Sequence, residues 1–123
     1  MMGDTATANE TIARRWFDAF NAHDLDALLA LYHDHAEHYS PKLKQRDPAT
    51  YGRVKGKAAL RAWWREAFDR LPSLRYEVRS LTANPRRVFM EYVRHVGGEE
   101  DLLVGEVLEI SEGRIHASRV YHG

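Results

Sequence analysis

The chain has 123 residues, 44% of them hydrophobic and 29% charged, a balance that suits one folded domain needing no metal or disulfide staple. Its 18 basic and 18 acidic residues cancel, which removes the electrostatic warrant for a nucleic-acid partner, and the absence of cysteine excludes thiol catalysis, thiolate metal sites and disulfides. No apolar run approaches the ~20 residues that span a bilayer, and residues 1–9 lack the apolar core of a signal peptide, so the expectation is a cytoplasmic protein with a frayed start and no membrane partner.

Between residues 10 and 22, Ile12, Ala13, Trp16, Phe17 and Phe20 recur at alternating steps of three and four, so they share one face of a helix. The stretch 21–24 interrupts it. Asp24 is a good N-cap for a short second helix carrying Leu25, Leu28, Leu29 and Tyr32 and stopping near His33 and Asp34. Residues 36–40 read as a brief strand ended by Pro41. Residues 42–55 hold Pro48, Gly52 and five basic side chains with little periodicity, which predicts a long loop closed by Gly56. A third helix is expected over 57–71, with Leu60, Trp63, Trp64, Ala67, Phe68 and Leu71 on its buried side and Pro72 at its end.

The remainder alternates like strands: 74–82, 87–96, 102–110 and 114–122, with turn residues at 83–85, 97–98 and 111–113. Neighbouring strands joined by short turns form a meander, and helices packed on one face of it give an α+β fold.

Strand alternation then groups polar residues with apolar ones. Ala36, His38 and Ser40 share a face; so do Val104, Glu106 and Leu108; so do His116, Ser118, Val120 and His122. If these are the concave faces, His38, Glu106 and the histidine pair His116 and His122 meet in one cavity as an acid/base set, because burial raises a carboxyl pKa and imidazole titrates near neutrality. Plainer readings stand beside this one. His38 at a short edge strand and His122 near the C-terminus suit solvated side chains, and a one-residue register slip would put Glu106 outside, in an ion pair with Arg87 or Arg119. His33, His35 and Glu37 would share a face only if all were in a strand; His33 is expected at a helix end, where the dipole favours it, so no metal or other cofactor is assigned. Trp16, Phe20, Trp63, Trp64 and Phe68 are mostly core, with one or two available as pocket walls. The basic stretch, Lys42, Lys44, Arg46, Arg53 and Lys55, reads as a solvated loop before it reads as an anion site.

Residues 12–32, from Ile12 through Asn21-Ala22-His23-Asp24-Leu25-Asp26 to Leu31-Tyr32, resemble the opening helices of the nuclear transport factor 2-like superfamily. Residues 54–63 resemble its third-helix entry and 110–115 its last hairpin, in matching order. Within that superfamily the chain looks most like the SnoaL-like polyketide cyclase and ketosteroid isomerase branch. The resemblance implies a cone-shaped, cystatin-like fold: a curved, mixed, mostly antiparallel sheet wrapped around three helices, an apolar pocket, and a homodimer through the sheet. The isomerase tyrosine falls at Trp16, whose indole can donate or serve as a wall. The aspartate base falls at Ser40, and the protonated late-strand aspartate, a hydrogen-bond donor in those isomerases, falls at Glu106. One of three groups is thus kept in kind, which argues against steroid isomerisation by that mechanism. The expected function is acid/base proton transfer, cyclase or isomerase in type, on a small mostly apolar carbonyl compound, with His38 as base and Glu106 as neutral acid or histidine partner. The expected pocket wall is Trp16, Phe20, Ser40, Trp63 and Trp64 from the first half and Val104, Leu108, Ser118 and His122 from the second. A non-catalytic ligand carrier or sensor with the same pocket, and a dimeric interaction module with a filled cavity, are the alternatives.

Overall fold

A computed structural model describes residues 2–122, with side chains from 5 to 121. Helix α1 is Met2–Asn21 and α2 is Leu25–Ala30; strand β1, Tyr32–Tyr39, follows at once. Then come a short helix α3 (Pro41–Arg46), a 3-10 turn (Pro48–Thr50), β2 (Arg53–Lys55) and helix α4 (Lys57–Arg70). Strands β3 (Arg75–Ala83), β4 (Arg87–His95), β5 (Leu102–Ser111) and β6 (Arg114–His122) complete the chain.

The sheet has six strands in the order β2-β1-β6-β5-β4-β3. The expected meander is present from β3 to β6, all antiparallel. Strand β6 then lies parallel to β1, and β2 closes antiparallel on the far side. The sheet is therefore mixed and mostly antiparallel, curved and not closed. Helix α1 packs on β3 and β4, and α4 packs on β1 and β2, so the helices fill the concave side. The core is Trp16, Phe17 and Phe20 from α1, Leu60, Trp64 and Phe68 from α4, and the inward rows of β1, β4, β5 and β6, with Tyr76, Leu81 and Ala83 of β3 half-buried against it. Each large apolar side chain removed from water this way contributes about 1.5–3 kcal/mol. The aromatic rings meet in order: Trp16 stacks on Phe20 at 5.2 Å, and Phe20 stacks on Tyr76 at 4.1 Å.

Local chemistry explains the breaks. His23 adopts a left-handed φ of 52°, which turns the chain out of α1. The Asp24 carboxylate accepts from the Ala27 amide at 3.1 Å and starts α2. Gly56 enters α4 at φ 88°, a conformation a side chain would resist.

Several boundaries differ from the sequence-based expectation. The start is helical from Met2, and Asn9 is buried, its amide donating to the Asn84 carbonyl at 3.0 Å; a polar first turn gave no periodic signal for this. Tyr32 and His33 belong to β1 and not to a second helix, because Ile115 of β6 donates to the Leu31 carbonyl at 2.8 Å and draws the chain into the sheet. The expected loop 42–55 contains α3 and β2, giving four α-helices among the described residues where three were expected. Gly52 explains the compact form: its carbonyl accepts from the Ser40 amide at 2.9 Å, and a Cβ there would meet the Ser40 carbonyl at 2.8 Å. No helix is long and apolar enough to cross a membrane among the described residues.

Candidate active site

A cavity of about 190 Å³ opens on the concave side. Its walls come from Trp16 and Phe20 of α1, Trp63 and Trp64 of α4, Tyr92 of β4 and Val104 of β5. A buried imidazole and a buried carboxyl reach it, His38 of β1 and Glu106 of β5, at 4% and 1% exposure. The register explains why both point inward. His38 lies opposite Ser118, and Ser118 opposite Leu108. Glu106 lies between Met90 and Val120 on the same inward row as Val104. The ion pairs that would have claimed an outward glutamate are made by Glu109, which meets Arg119 at 3.0 Å and Arg87 at 3.7 Å.

The two groups have separate partners. Tyr92 donates to Glu106 Oε1 at 2.6 Å, while Oε2 is buried with no hydrogen-bond partner. An unpaired carboxylate oxygen in an apolar wall is costly. Burial pushes the Glu106 carboxyl up to about 7 against the downward pull of the Tyr92 bond. On the other wall, the Trp16 indole donates to the Tyr32 hydroxyl at 3.1 Å, Tyr32 donates to Ser118 Oγ at 3.0 Å, and Ser118 lies 2.7 Å from His38 Nδ1. Ser118 has one hydrogen, and His38 Nδ1 is its only remaining partner among the described residues. The chain therefore runs Trp16 to Tyr32 to Ser118 to Nδ1, which leaves the His38 hydrogen on Nε2. Burial holds the imidazolium down to about 4, so His38 is neutral at ordinary pH. Burial also raises the Tyr32 phenol far above its usual range, so the relay stays un-ionised.

Of the residues expected in the pocket, Trp16, Phe20, Ser40, Trp63, Trp64 and Val104 line the cavity with His38 and Glu106. Leu108 does not; it is core beneath the wall. Ser118 lies behind His38 and acts through it. The His122 side chain lies outside the described residues. His116 leaves the face it was expected to share with Ser118. The register between β5 and β6 shifts at Glu109 and Ile110, so Ile115 turns inward and His116 is exposed, stacked on His33 at 4.4 Å. Trp16 is a wall and not a ligand donor, because its NH is spent on Tyr32. His38 and Glu106 do not form a pair; each is bonded elsewhere.

Tyr92, Tyr76 and Arg94 line the cavity and were not singled out from sequence. A signal existed: the β4–β5 hairpin pairs Arg94 with Leu102 and Tyr92 with Val104, so β4 residues two apart share the Glu106 face. Tyr32 was hidden by its placement in a helix. His33 lies in β1, 5.6 Å from His35 ring to ring, yet no group of three or more His, Asp or Glu among the described residues could hold a metal.

A curved, open sheet packed over helices, with one buried carboxyl and one buried imidazole at an apolar cavity, defines an α+β cone with a candidate small-molecule site. Residues 13–117 match the SnoaL-like domain, and the chain belongs to that family. It is 32% identical to a SnoaL-like protein of unknown function from Burkholderia thailandensis, with 95% of each chain covered and a TM-score of 0.84. A candidate ketosteroid isomerase from Kribbella flavida is 19% identical over 96% of this chain and 79% of its own, at a TM-score of 0.79. A candidate polyketide cyclase from Sinorhizobium meliloti is 20% identical over 90% and 94%, at 0.77. The last two establish likeness of fold alone. No curated protein matches the chain.

Proposed function

We propose that the cone is an active site for proton transfer on a small, mostly apolar carbonyl compound, of isomerase or cyclase type. The observation that carries this is Glu106: a buried carboxyl in the cavity lining whose Oε2 has no hydrogen-bond partner and whose pKa burial pushes up to about 7. A general base works best when its pKa lies near the working pH. The roles expected from sequence are exchanged on this reading. A His38 held near 4 is a weak base, whereas its Nε2–H, backed by the Ser118 relay, donates to a carbonyl oxygen. Glu106 Oε2 takes a proton from the carbon beside that carbonyl. The electron pair moves onto the oxygen, and His38 stabilises the enolate. Return of the proton to a different carbon gives isomerisation; attack of the enolate carbon on a second carbonyl gives ring closure, the new alkoxide taking the proton that Glu106 holds.

The test is exchange of solvent deuterium into the acidic CH2 of 2-tetralone, followed by NMR. Wild-type protein should accelerate exchange, and Glu106→Gln should lose about 10²–10⁴-fold of that acceleration. Exchange unaffected by Glu106→Gln sinks the proposal. Binding of 2-tetralone with no exchange would instead assign the cavity to a ligand carrier.

A homodimer through the sheet, which the resemblance implies, remains part of the proposal. Phe89, Leu103 and Tyr121 stand exposed on the convex side at 41%, 58% and 55%. Phe89 also covers Gly105, where an added Cβ would sit 3.1 Å from its ring. Wild-type protein should sediment as a dimer and Leu103→Asp/Tyr121→Asp as a folded monomer. Identical sedimentation of the two removes the convex face as the interface.

A further inference from the structure

Beyond the carbonyl chemistry, and resting on the same cavity, the geometry points to a ligand that carries a carboxylate at the end remote from Glu106. The cavity is lined by four basic side chains from three elements: Lys42 and Arg46 of α3, Arg70 of α4 and Arg94 of β4. The only acidic side chain in that lining is Glu106. Exposure orders them in depth. Lys42, Arg46 and Arg70 are exposed and form the mouth, Arg94 is buried just inside, and Glu106 is buried at the far wall. A cationic rim around an apolar throat focuses its field on an entering anion.

The neutralisation of this rim is incomplete. Arg46 meets Glu66 at 3.3 Å and lies over the Trp63 ring at 5.5 Å. Arg94 meets Glu99 at 2.9 Å. Lys42 and Arg70 have no ion pair among the described residues, and like charge surrounds Lys42: beyond the cost of burial, Arg94 and Arg70 both act to destabilise its ammonium, with Glu99 opposing. An anion placed among Lys42, Arg70 and Arg94 relieves that repulsion.

Glu99 indicates which anion fits. It lies in the β4–β5 turn, half exposed, and it presents a carboxylate to the one arginine that is buried in the cavity wall. It occupies Arg94 in the way a ligand carboxylate would, with the guanidinium fork suited to that planar group. Glu99 is half exposed and gains hydration when released, and an incoming carboxylate takes its place on the buried Arg94, so that charge is not left unpaired.

The experiment is isothermal titration of wild-type protein with 2-naphthoate and with its neutral isostere 2-naphthamide, at low and at 0.5 M salt. The expected result is at least tenfold tighter binding of 2-naphthoate at low salt, with the advantage falling as salt screens the rim. Lys42→Gln/Arg70→Gln, both exposed and outside the chemistry proposed above, should lose most of that preference and keep the affinity for the amide. Glu99→Gln should tighten 2-naphthoate binding several-fold, an effect a merely structural Glu99 would not produce. Equal affinity for the two compounds overturns the carboxylate inference and leaves the cavity reading standing. Binding of neither compound overturns both.

Discussion

Glu106→Gln is expected to make stability rise with pH where the wild-type protein is nearly flat. The two buried groups pull in opposite directions. Burial raises the Glu106 carboxyl from 4.5 to about 7. Between those values the unfolded chain ionises and the folded chain keeps its proton, so stability is fully present below 4.5 and is lost as pH rises towards 7. His38 is the reverse case, lowered from 6.5 to about 4. Between those values the unfolded chain takes a proton that the folded chain refuses, so stability present above 6.5 is lost as pH falls towards 4. Each separation corresponds to ~3 kcal/mol at about 1.4 kcal/mol per pH unit. Over the shared window, 4.5 to 6.5, the slopes cancel. Urea unfolding from pH 4 to 8 should therefore show Glu106→Gln gaining ~3 kcal/mol on the wild type between pH 4.5 and 7. His38→Gln should lose about as much relative to the wild type over 4 to 6.5 on the unmasked Glu106 slope, measured from its value at pH 4. Other titrating groups are common to all three proteins and drop out of the differences. Parallel curves would show that neither group is held away from its ordinary value.

The second large effect concerns Tyr92. Its hydroxyl is the one hydrogen bond on the Glu106 carboxyl, at 2.6 Å, and it favours the ionised form. Tyr92→Phe removes it and keeps the ring, which packs on Tyr76 at 4.2 Å and Phe17 at 5.5 Å. A hydrogen bond to an ionised group is worth ~1.5–3 kcal/mol, so the Glu106 pKa should climb by about one to two units. The ascending limb of the exchange rate against pH, which reports the ionised base, should move to higher pH by that amount. At pH 7 the variant should be slow, and at pH 9 it should recover much of the difference. Loss of rate by the same factor at every pH would instead mean that Tyr92 acts on substrate position and not on the base.

Much of the fold was legible because its signals are local. The three-and-four spacing of Trp16, Phe17 and Phe20 and the alternation of Val104, Glu106 and Leu108 follow directly from backbone geometry, and Asp24 caps α2 through a contact three residues away. Gly97 and Gly98 likewise marked the turn that makes β4 and β5 neighbours, though not the register between them. The errors fall where distant segments decide. Tyr32 continues the apolar spacing of α2, yet it is a strand residue, since β6 offers its neighbour Leu31 a backbone partner more than 80 residues away.

The sequence by itself determined the order of the long helices and of the four meander strands, and the aromatic faces of α1 and α4; it left open which face of their strands His38 and Glu106 occupy. The tertiary structure alone decided their chemistry. A pKa depends on burial and on partners brought from other strands, and neither is encoded in spacing. Ser118 reaches His38 from 80 residues away, and Tyr92 reaches Glu106 across a hairpin. One bulge opposite Glu109 sends His116 outward while Ser118 stays in. Burial among these strands keeps the imidazole neutral and brings the carboxyl near neutrality against the pull of the Tyr92 bond, which shifts the proposed base from His38 to Glu106.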